Sequence, residues 1–236
     1  SGPDCSDFQS VRFAPLPAAV REVDEIATLM RGGAGSPGAS RQAGTGVEEL
    51  TGVDASEAAF KSKAPGRRVL HVATHGFFLG GECSATQPAS RGIGGVTPSP
   101  RAYPSMRAGV NPLLLSGLAL AGANMRASAD PNAEDGVLTA DEIAVMDLSS
   151  ADWVVLSACD TGMGEIAVGE GILGLRRAFQ IASGSALVMS LWSVEDEAAR
   201  HYMKALYEAR FQRGLATDQS VMEASQAILK QLRKQG

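Results

Sequence analysis

The sequence predicts an α/β fold: a three-layer sandwich around a mostly parallel central sheet, within one domain that spans residues 1–236. Short apolar stretches rich in β-branched residues, at 68–76, 153–162 and 185–192, lack helical spacing and are typical of buried strands. Segments of helical period separate these stretches. Because 44% of the 236 residues are hydrophobic, the chain can also fill a substantial core.

Helices are predicted where apolar residues recur at helical spacing. The first covers residues 15–30, and its apolar face consists of Val20, Val23, Ile26, Ala27 and Met30. Further helices are predicted over residues 169–183, 194–211 and 217–234. The apolar side of the last of these consists of Val221, Met222, Ala224, Ile228 and Leu232.

Capping signals mark where individual helices begin and end. Asp54 or Ser56 can cap a short helix, because both side chains accept hydrogen bonds from free helix N–H groups. Thr139 and Glu142 form a capping box that starts another short helix. Gly184 is expected to end the helix before it in a conformation of positive φ.

Several connecting segments are less regular. Residues 47–53 are a candidate short strand, and residues 112–123 should return the chain to the sheet. Residues 31–46 are rich in Gly, Ser and Ala and predict an exposed loop. Residues 80–110 are rich in Gly, Pro, Ser and Arg without periodicity, and we expect an insertion beside the functional site, with a passive surface excursion as the alternative. A turn is predicted at 132–136.

Composition limits the partners and the compartment. A formal net charge of -5 gives no electrostatic reason to expect nucleic acid, and no apolar run reaches the roughly 20 residues that span a membrane. The cysteines Cys5, Cys83 and Cys159 are odd in number and lack CxxC spacing, which favours a reducing, cytoplasmic setting over a disulfide framework. The chain begins with Ser1, so we expect upstream domains in the full-length protein.

A histidine and a cysteine end two of the predicted strands. In an open α/β sheet, functional groups gather outside the carboxyl ends of parallel strands, so His75 and Cys159 are expected to meet. Cys159 would be a nucleophile and His75 its base, while the N–H groups of Gly76 and Cys159 would bind an oxyanion. The alternatives are that Cys159 is a small buried apolar residue, His75 a core or turn histidine, and Gly76 a turn glycine.

Other chemistries fit the sequence less well. His71 and His75 would form a metal pair on a helix, but their context predicts a strand, so we expect no metal. Residues 169–174 match G-x-G-x-x-G, with Glu195 about 20 residues on, which makes a dinucleotide-binding domain an alternative. This match lies about ten residues after the preceding strand rather than directly after it. We expect no cofactor.

Five segments in series resemble the CHAT domain, a caspase-like and separase-like cysteine protease family. They are LHVATHGFF at 70–78, LSGLALAGAN at 115–124, DGVLTADEI at 135–143, LSACDTG at 156–162 and GEGILGL at 169–175. The likeness extends from about Phe13 to the C-terminus. It implies a caspase-type α/β fold with His75 and Cys159 as the catalytic dyad, and with the amides of Gly76 and Cys159 as the oxyanion hole.

The resemblance also implies a biological setting. Family members commonly carry tetratricopeptide repeats before this domain and act as regulated bacterial proteases on protein or peptide substrates. A cysteine endopeptidase is therefore expected, with a catalytically idle caspase-like scaffold as the alternative. The segment 80–110 departs from the family pattern and could be a lid, a partner site or a self-cleavage loop. If the enzyme prefers a basic P1 residue, the candidate cut sites are Arg91, Arg101 and Arg107.

Substrate preference is implied by one further similarity. Residues 191–196, LWSVED, resemble a separase segment in which an acidic residue binds a P1 arginine. A carboxylate can hold a guanidinium through two hydrogen bonds, so we expect a basic P1 residue bound by Asp196, with Asp160 as the second choice. The alternative is that Asp196 caps the following helix.

Overall fold

The computed structural model describes residues 12–32, 46–78, 113, 116–128, 133–160, 168–184, 186–190 and 194–235, with the backbone alone for residues 78, 159–160, 168–173 and 235. The predicted insertion over residues 80–110 and most of the predicted loop over residues 31–46 lie outside this set. The chain divides into two compact units. The first comprises Ser1–Pro15 and Gly52–Val194, and the second comprises Leu16–Thr51 and Glu195–Gly236.

The first unit is built on a five-stranded sheet. Its strands are β1 (Val69–Phe78), β2 (Ser116–Ala119), β3 (Val137–Thr139), β4 (Trp153–Asp160) and β5 (Ala186–Met189), in the order β3-β2-β1-β4-β5. The β1–β4 and β4–β5 pairs are parallel, whereas the β1–β2 and β2–β3 pairs are antiparallel. The predicted α/β class is confirmed, but the prediction of a mostly parallel sheet is wrong.

The mixed character of the sheet follows from its connections. Two parallel neighbours need a crossover of a dozen or more residues, usually a helix. Between β2 and β3 the described residues contain only the short 3-10 turn Ala123–Ser128, so the chain returns antiparallel. The three-residue β3 was missed because it is too short for a period-2 pattern to show.

Among the described residues of the first unit, three segments form α-helices: α2 (Glu57–Lys63), α3 (Ala140–Ala144) and α4 (Val168–Ser183). Alternate residues of the central strands pack with α4 in one core, because successive side chains of a strand point to opposite faces. This core includes Leu70 and Val72 of β1, Val154 and Leu156 of β4, and Ala178 and Phe179 of α4. The buried strands therefore explain the apolar runs in the sequence.

The predicted helix ends are confirmed at three places. The Ser56 side chain caps α2, Thr139 and Glu142 form the capping box of α3, and Gly184 follows α4 with a φ of 64°. The strand predicted over residues 47–53 is wrong, since Gly52–Asp54 is a 3-10 turn and no strand precedes it in the described residues. Strand β5 lies at the edge of the sheet, and only its Val188 is buried.

In the second unit the described residues form α1 (Pro17–Gly32), α5 (Asp196–Tyr207) and α6 (Thr217–Gln235), with a π-helical turn at Glu208–Gln212. Its predicted helices are confirmed, but two predicted faces are partly wrong. Val20 of α1 is 55% exposed, because α1 buries Ala18, Ala19, Glu22, Ile26 and Ala27 instead. On α6, Ala224 is buried, whereas Met222 and Leu232 are more than half exposed.

None of the helices in the described segments combines the length and the apolar composition needed to cross a bilayer.

Candidate active site

Strands β1 and β4 bring two residues of interest side by side. Their parallel pairing places the Cα atom of His75 opposite that of Cys159. The next pair along the two strands is Gly76 with Asp160. Neighbouring strands lie about 4.8 Å apart, so the two backbones are in direct contact. Both residues lie near the carboxyl ends of their strands, where the groups of an α/β site collect.

The His75 imidazole is held by a backbone carbonyl. Its Nε2 atom lies 2.6 Å from the carbonyl oxygen of Ala14. A carbonyl oxygen only accepts hydrogen bonds, so Nε2 carries the proton in this contact. In a neutral ring of this tautomer, Nδ1 is the atom with the lone pair that takes up a proton. His75 as a whole is half-buried.

The segment that carries the Ala14 carbonyl is itself fixed by a side chain. Asn124 accepts a 2.9 Å hydrogen bond from the Phe13 N–H and donates a 2.8 Å hydrogen bond to the Phe13 carbonyl. The Phe13 ring lies 5.7 Å from the His75 ring and 5.7 Å from the Phe77 ring, measured between centroids. The residues before α1 are thus attached to the sheet through β1 and the 3-10 turn.

A groove of about 290 Å³ lies beside this histidine. It is lined by residues 13–15 and 119–125, which include Ala14 and Ala119, the β2 partner of His75. None of these described lining residues is ionisable. They offer apolar side chains, backbone groups and the Asn124 amide rather than charge.

Gly76 and Asp160 follow the paired histidine and cysteine. Gly76 is buried inside β1, opposite Leu118 of β2 and Asp160 of β4. The alternative interpretation of Gly76 as a turn glycine is therefore wrong. Asp160 is the last residue of β4.

The glycine-rich segment does not have the geometry of a dinucleotide site. Helix α4 begins at Val168, so Gly169, Gly171 and Gly174 all lie within the helix. A dinucleotide fingerprint instead needs its glycines in the turn that links a strand to a helix N-terminus. The dinucleotide alternative is not supported by this placement.

Asp196 lies in the second unit, at the first residue of α5. Its Oδ2 atom accepts a 2.8 Å hydrogen bond from the N–H of Ala18 in α1. The side chain that caps α5 belongs to Glu195, which accepts a 2.8 Å hydrogen bond from the N–H of Ala198. The alternative interpretation of Asp196 as the helix cap is therefore wrong.

A second group of charged residues lies elsewhere in the first unit. The Lys61 Nζ atom is 2.7 Å from Glu57, 2.8 Å from Glu134 and 2.8 Å from Glu142. Three carboxylates this close resemble a cation site, but the Lys61 ammonium contacts all of them. The Glu57 carboxylate is buried and also accepts a 2.9 Å hydrogen bond from the Gly136 N–H.

Burial raises the pKa of Glu57 from 4.5 to about 7, although the Lys61 hydrogen bond opposes this shift. A carboxyl group with a raised folded-state pKa binds more protons in the folded than in the unfolded state between those two values. We therefore expect the free energy of unfolding to decrease as pH rises from about 5 to about 7.5. Urea denaturation at several pH values measures this decrease.

The Glu57→Gln variant is expected to lose most of this slope while keeping an oxygen for the Gly136 N–H. Asp54→Asn, which changes an exposed carboxylate of the neighbouring turn, serves as the control and should retain the slope. An identical pH slope in the native chain and Glu57→Gln would contradict the assignment.

The five-stranded mixed sheet with its packed helices is an α/β fold that is consistent with a caspase-like sandwich. The family model of the CHAT domain matches residues 1–235, so the chain belongs to the CHAT domain family, and the resemblance seen in the sequence is confirmed. This membership associates the chain with caspase-like, protease-related proteins. No curated protein and no solved structure matches the chain.

Two residues that hold His75 in place, Ala14 and Asn124, could not be identified from the sequence. Ala14 acts through a carbonyl group that every residue possesses, so no sequence signal could have identified it. Asn124 is the last residue of the LSGLALAGAN segment, but its partner Phe13 is 111 residues away in sequence. Only the folded chain brings them together.

Proposed function

We propose that this chain is a cysteine endopeptidase in which His75 is the base and Cys159 the nucleophile. The proposal depends above all on one observation: the parallel register that pairs His75 with Cys159 at the carboxyl ends of adjacent strands. Family membership supports the same reaction class. The amides of Gly76 and Cys159 are proposed as the oxyanion donors, as the family resemblance implies.

In the proposed reaction, Nδ1 of His75 takes the thiol proton and the Cys159 sulfur adds to the scissile carbonyl carbon. The carbon–nitrogen bond then breaks, and the imidazolium returns the proton to the leaving amine. Water, activated by the same imidazole, hydrolyses the thioester and releases the acyl product. The Ala14 carbonyl supports the charged intermediate, because its hydrogen bond from Nε2–H strengthens when the ring becomes positive.

A covalent probe tests this proposal before any substrate is known. A peptidyl chloromethylketone should alkylate Cys159 in preference to Cys5 and Cys83, as measured by peptide mass spectrometry. His75→Ala should slow this labelling by about 10²-fold or more, because general-base assistance is lost. His71→Ala is the matched control, since His71 lies on the same strand opposite Val155 and should leave labelling unchanged.

The two possible failures of this experiment mean different things. Equal labelling rates in His75→Ala and His71→Ala would remove His75 from the mechanism. Absence of labelling at Cys159 in the native chain, with the fold intact, would instead favour the alternative of a catalytically idle caspase-like scaffold.

We propose a basic P1 residue, recognised by Asp196 or, as the second choice, by Asp160. Asp196→Asn removes the charge but keeps an oxygen that can accept the Ala18 N–H bond, so the contact with α1 should be preserved. Cleavage of a peptide library is expected to lose its Arg/Lys preference at P1 by about 10-fold or more in this variant.

Glu195→Gln is the control for the Asp196 variant, because it alters the neighbouring capping carboxylate. An unchanged P1 profile in Asp196→Asn would reject Asp196 as the residue that binds P1. Asp160→Asn would then test the second choice. No Arg/Lys preference in the native chain would reject both assignments.

The wider setting is proposed from the family resemblance. Protein or peptide substrates would be cleaved under the control of an N-terminal tetratricopeptide repeat domain, in a regulated, cytoplasmic bacterial protein. Comparing the activity of the full-length protein with that of residues 1–236 tests this control.

A further inference from the structure

We propose that Asn124 is a positioning residue for His75. Its side-chain amide fixes the backbone of Phe13 and thereby the Ala14 carbonyl, which holds the imidazole in the Nε2–H tautomer. This inference rests on the proposed function for its catalytic consequence, although its structural content can be measured in an inactive protein.

The two hydrogen bonds of Asn124 restrain both sides of one residue. Oδ1 binds the Phe13 N–H at 2.9 Å and Nδ2 binds the Phe13 carbonyl at 2.8 Å, so the amide pairs with Phe13 as a neighbouring strand would. The next carbonyl along the chain is that of Ala14, which accepts from His75. Restraining the Phe13 peptide groups therefore limits the directions in which the Ala14 carbonyl can point.

This restraint matters because the segment has no regular structure of its own. Residues 12–16 lie outside the helices and strands, so the ladder bonds that fix a strand do not fix them. The Phe13 ring lies against the His75 and Phe77 rings, and these contacts position the side chain rather than the peptide plane. The bidentate amide thus supplies orientation that aromatic packing does not.

An amide is the side-chain group that this geometry requires. Phe13 presents one donor and one acceptor, and the planar carboxamide supplies one of each. A carboxylate only accepts, so Asn124→Asp would keep the bond from the Phe13 N–H and place a negative oxygen against the Phe13 carbonyl. Asn124→Ala loses both bonds.

The expected effect on stability is small and the expected effect on catalysis is larger. Asn124 is exposed, so water can replace its hydrogen bonds when the side chain is removed. A displacement of a catalytic group by about 1 Å, in contrast, can lower a rate about 10²-fold. We therefore expect kcat to fall by about 10- to 100-fold in Asn124→Ala with little change in KM.

The deciding experiment reads the tautomer directly. Side-chain 1H–15N NMR of Cys159→Ala, an inactive background, should show His75 protonated at Nε2, and adding Asn124→Ala or Asn124→Asp should shift it toward the Nδ1–H tautomer. Ser128→Ala is the control, since its hydroxyl donates to Met125 in the same 3-10 turn and should leave the tautomer unchanged. Thermal denaturation checks that every variant is folded.

The outcomes separate the two proposals. An unchanged His75 tautomer in folded Asn124→Ala would overturn the role of Asn124, whatever the activity of the protein. A shifted tautomer in a chain that cleaves no peptide would support the role of Asn124 and contradict the endopeptidase proposal. A shifted tautomer with unchanged kcat in an active protein would overturn the catalytic consequence of the positioning.

Discussion

Replacing Cys159 with alanine is expected to lower kcat/KM for a susceptible peptide by about 10³-fold or more. The substitution removes the sulfur that would form the thioester, so no covalent route remains. His75→Ala should cause a comparable loss, because the thiol then lacks its base. Residues that act as one unit are strongly non-additive, so the double variant should be no worse than the more damaging single variant.

Steady-state hydrolysis of a fluorogenic peptide, chosen from a library screen, measures these losses. His71→Ala is again the matched control and should retain nearly full kcat/KM. Retained activity in Cys159→Ala would end the nucleophile assignment, and losses that simply add in the double variant would indicate that the two side chains work independently.

Gly136→Ala is expected to lower the free energy of unfolding by more than about 3 kcal/mol. Gly136 has a φ of 83°, and a Cβ atom there would lie 2.4 Å from the Ala123 nitrogen and 2.8 Å from the Ala121 oxygen. The backbone at Gly136 cannot easily move to relieve these close contacts, because its N–H donates to Glu57 and its carbonyl accepts a 2.7 Å hydrogen bond from the Leu120 N–H. Urea denaturation measures the effect.

Gly184→Ala separates backbone strain from this steric conflict. Gly184 also has a positive φ, of 64°, but a Cβ atom added there would meet no atom of the described residues within 4 Å. The variant should therefore lose only about 1 kcal/mol. Similar losses in the two variants would show that the close contacts around Gly136 relax at no cost.

The strands of the site were predictable because their signal is local. The apolar runs that end in His75 and Cys159 predict buried strands, and the rule for parallel sheets brings their carboxyl ends to one edge. Ser56, Thr139 and Gly184 were likewise identified from residue type, since each satisfies a requirement of the nearest helix end.

The features that were missed depend on tertiary contacts. The antiparallel placement of β2 is set by how the chain returns to the sheet, which residues 112–123 do not specify by themselves. Val20 fits the apolar face of a helical projection, yet α1 packs through its alanines. The hydrogen bond between His75 and Ala14 joins residues that are 61 positions apart, and the hydrogen bonds between Asn124 and Phe13 join residues that are 111 positions apart. Both contacts involve backbone groups, which have no sequence signature.

The pairing of β1 with β4 also limits how this chain can change in length. The two strands match residue for residue from Val69 and Trp153 to Gly76 and Asp160. An insertion or deletion of one residue inside either strand would shift every later residue of that strand by one place and end the pairing of His75 with Cys159. The segments between the two strands can therefore vary in length. The number of residues in β1 before His75 must still match the number in β4 before Cys159.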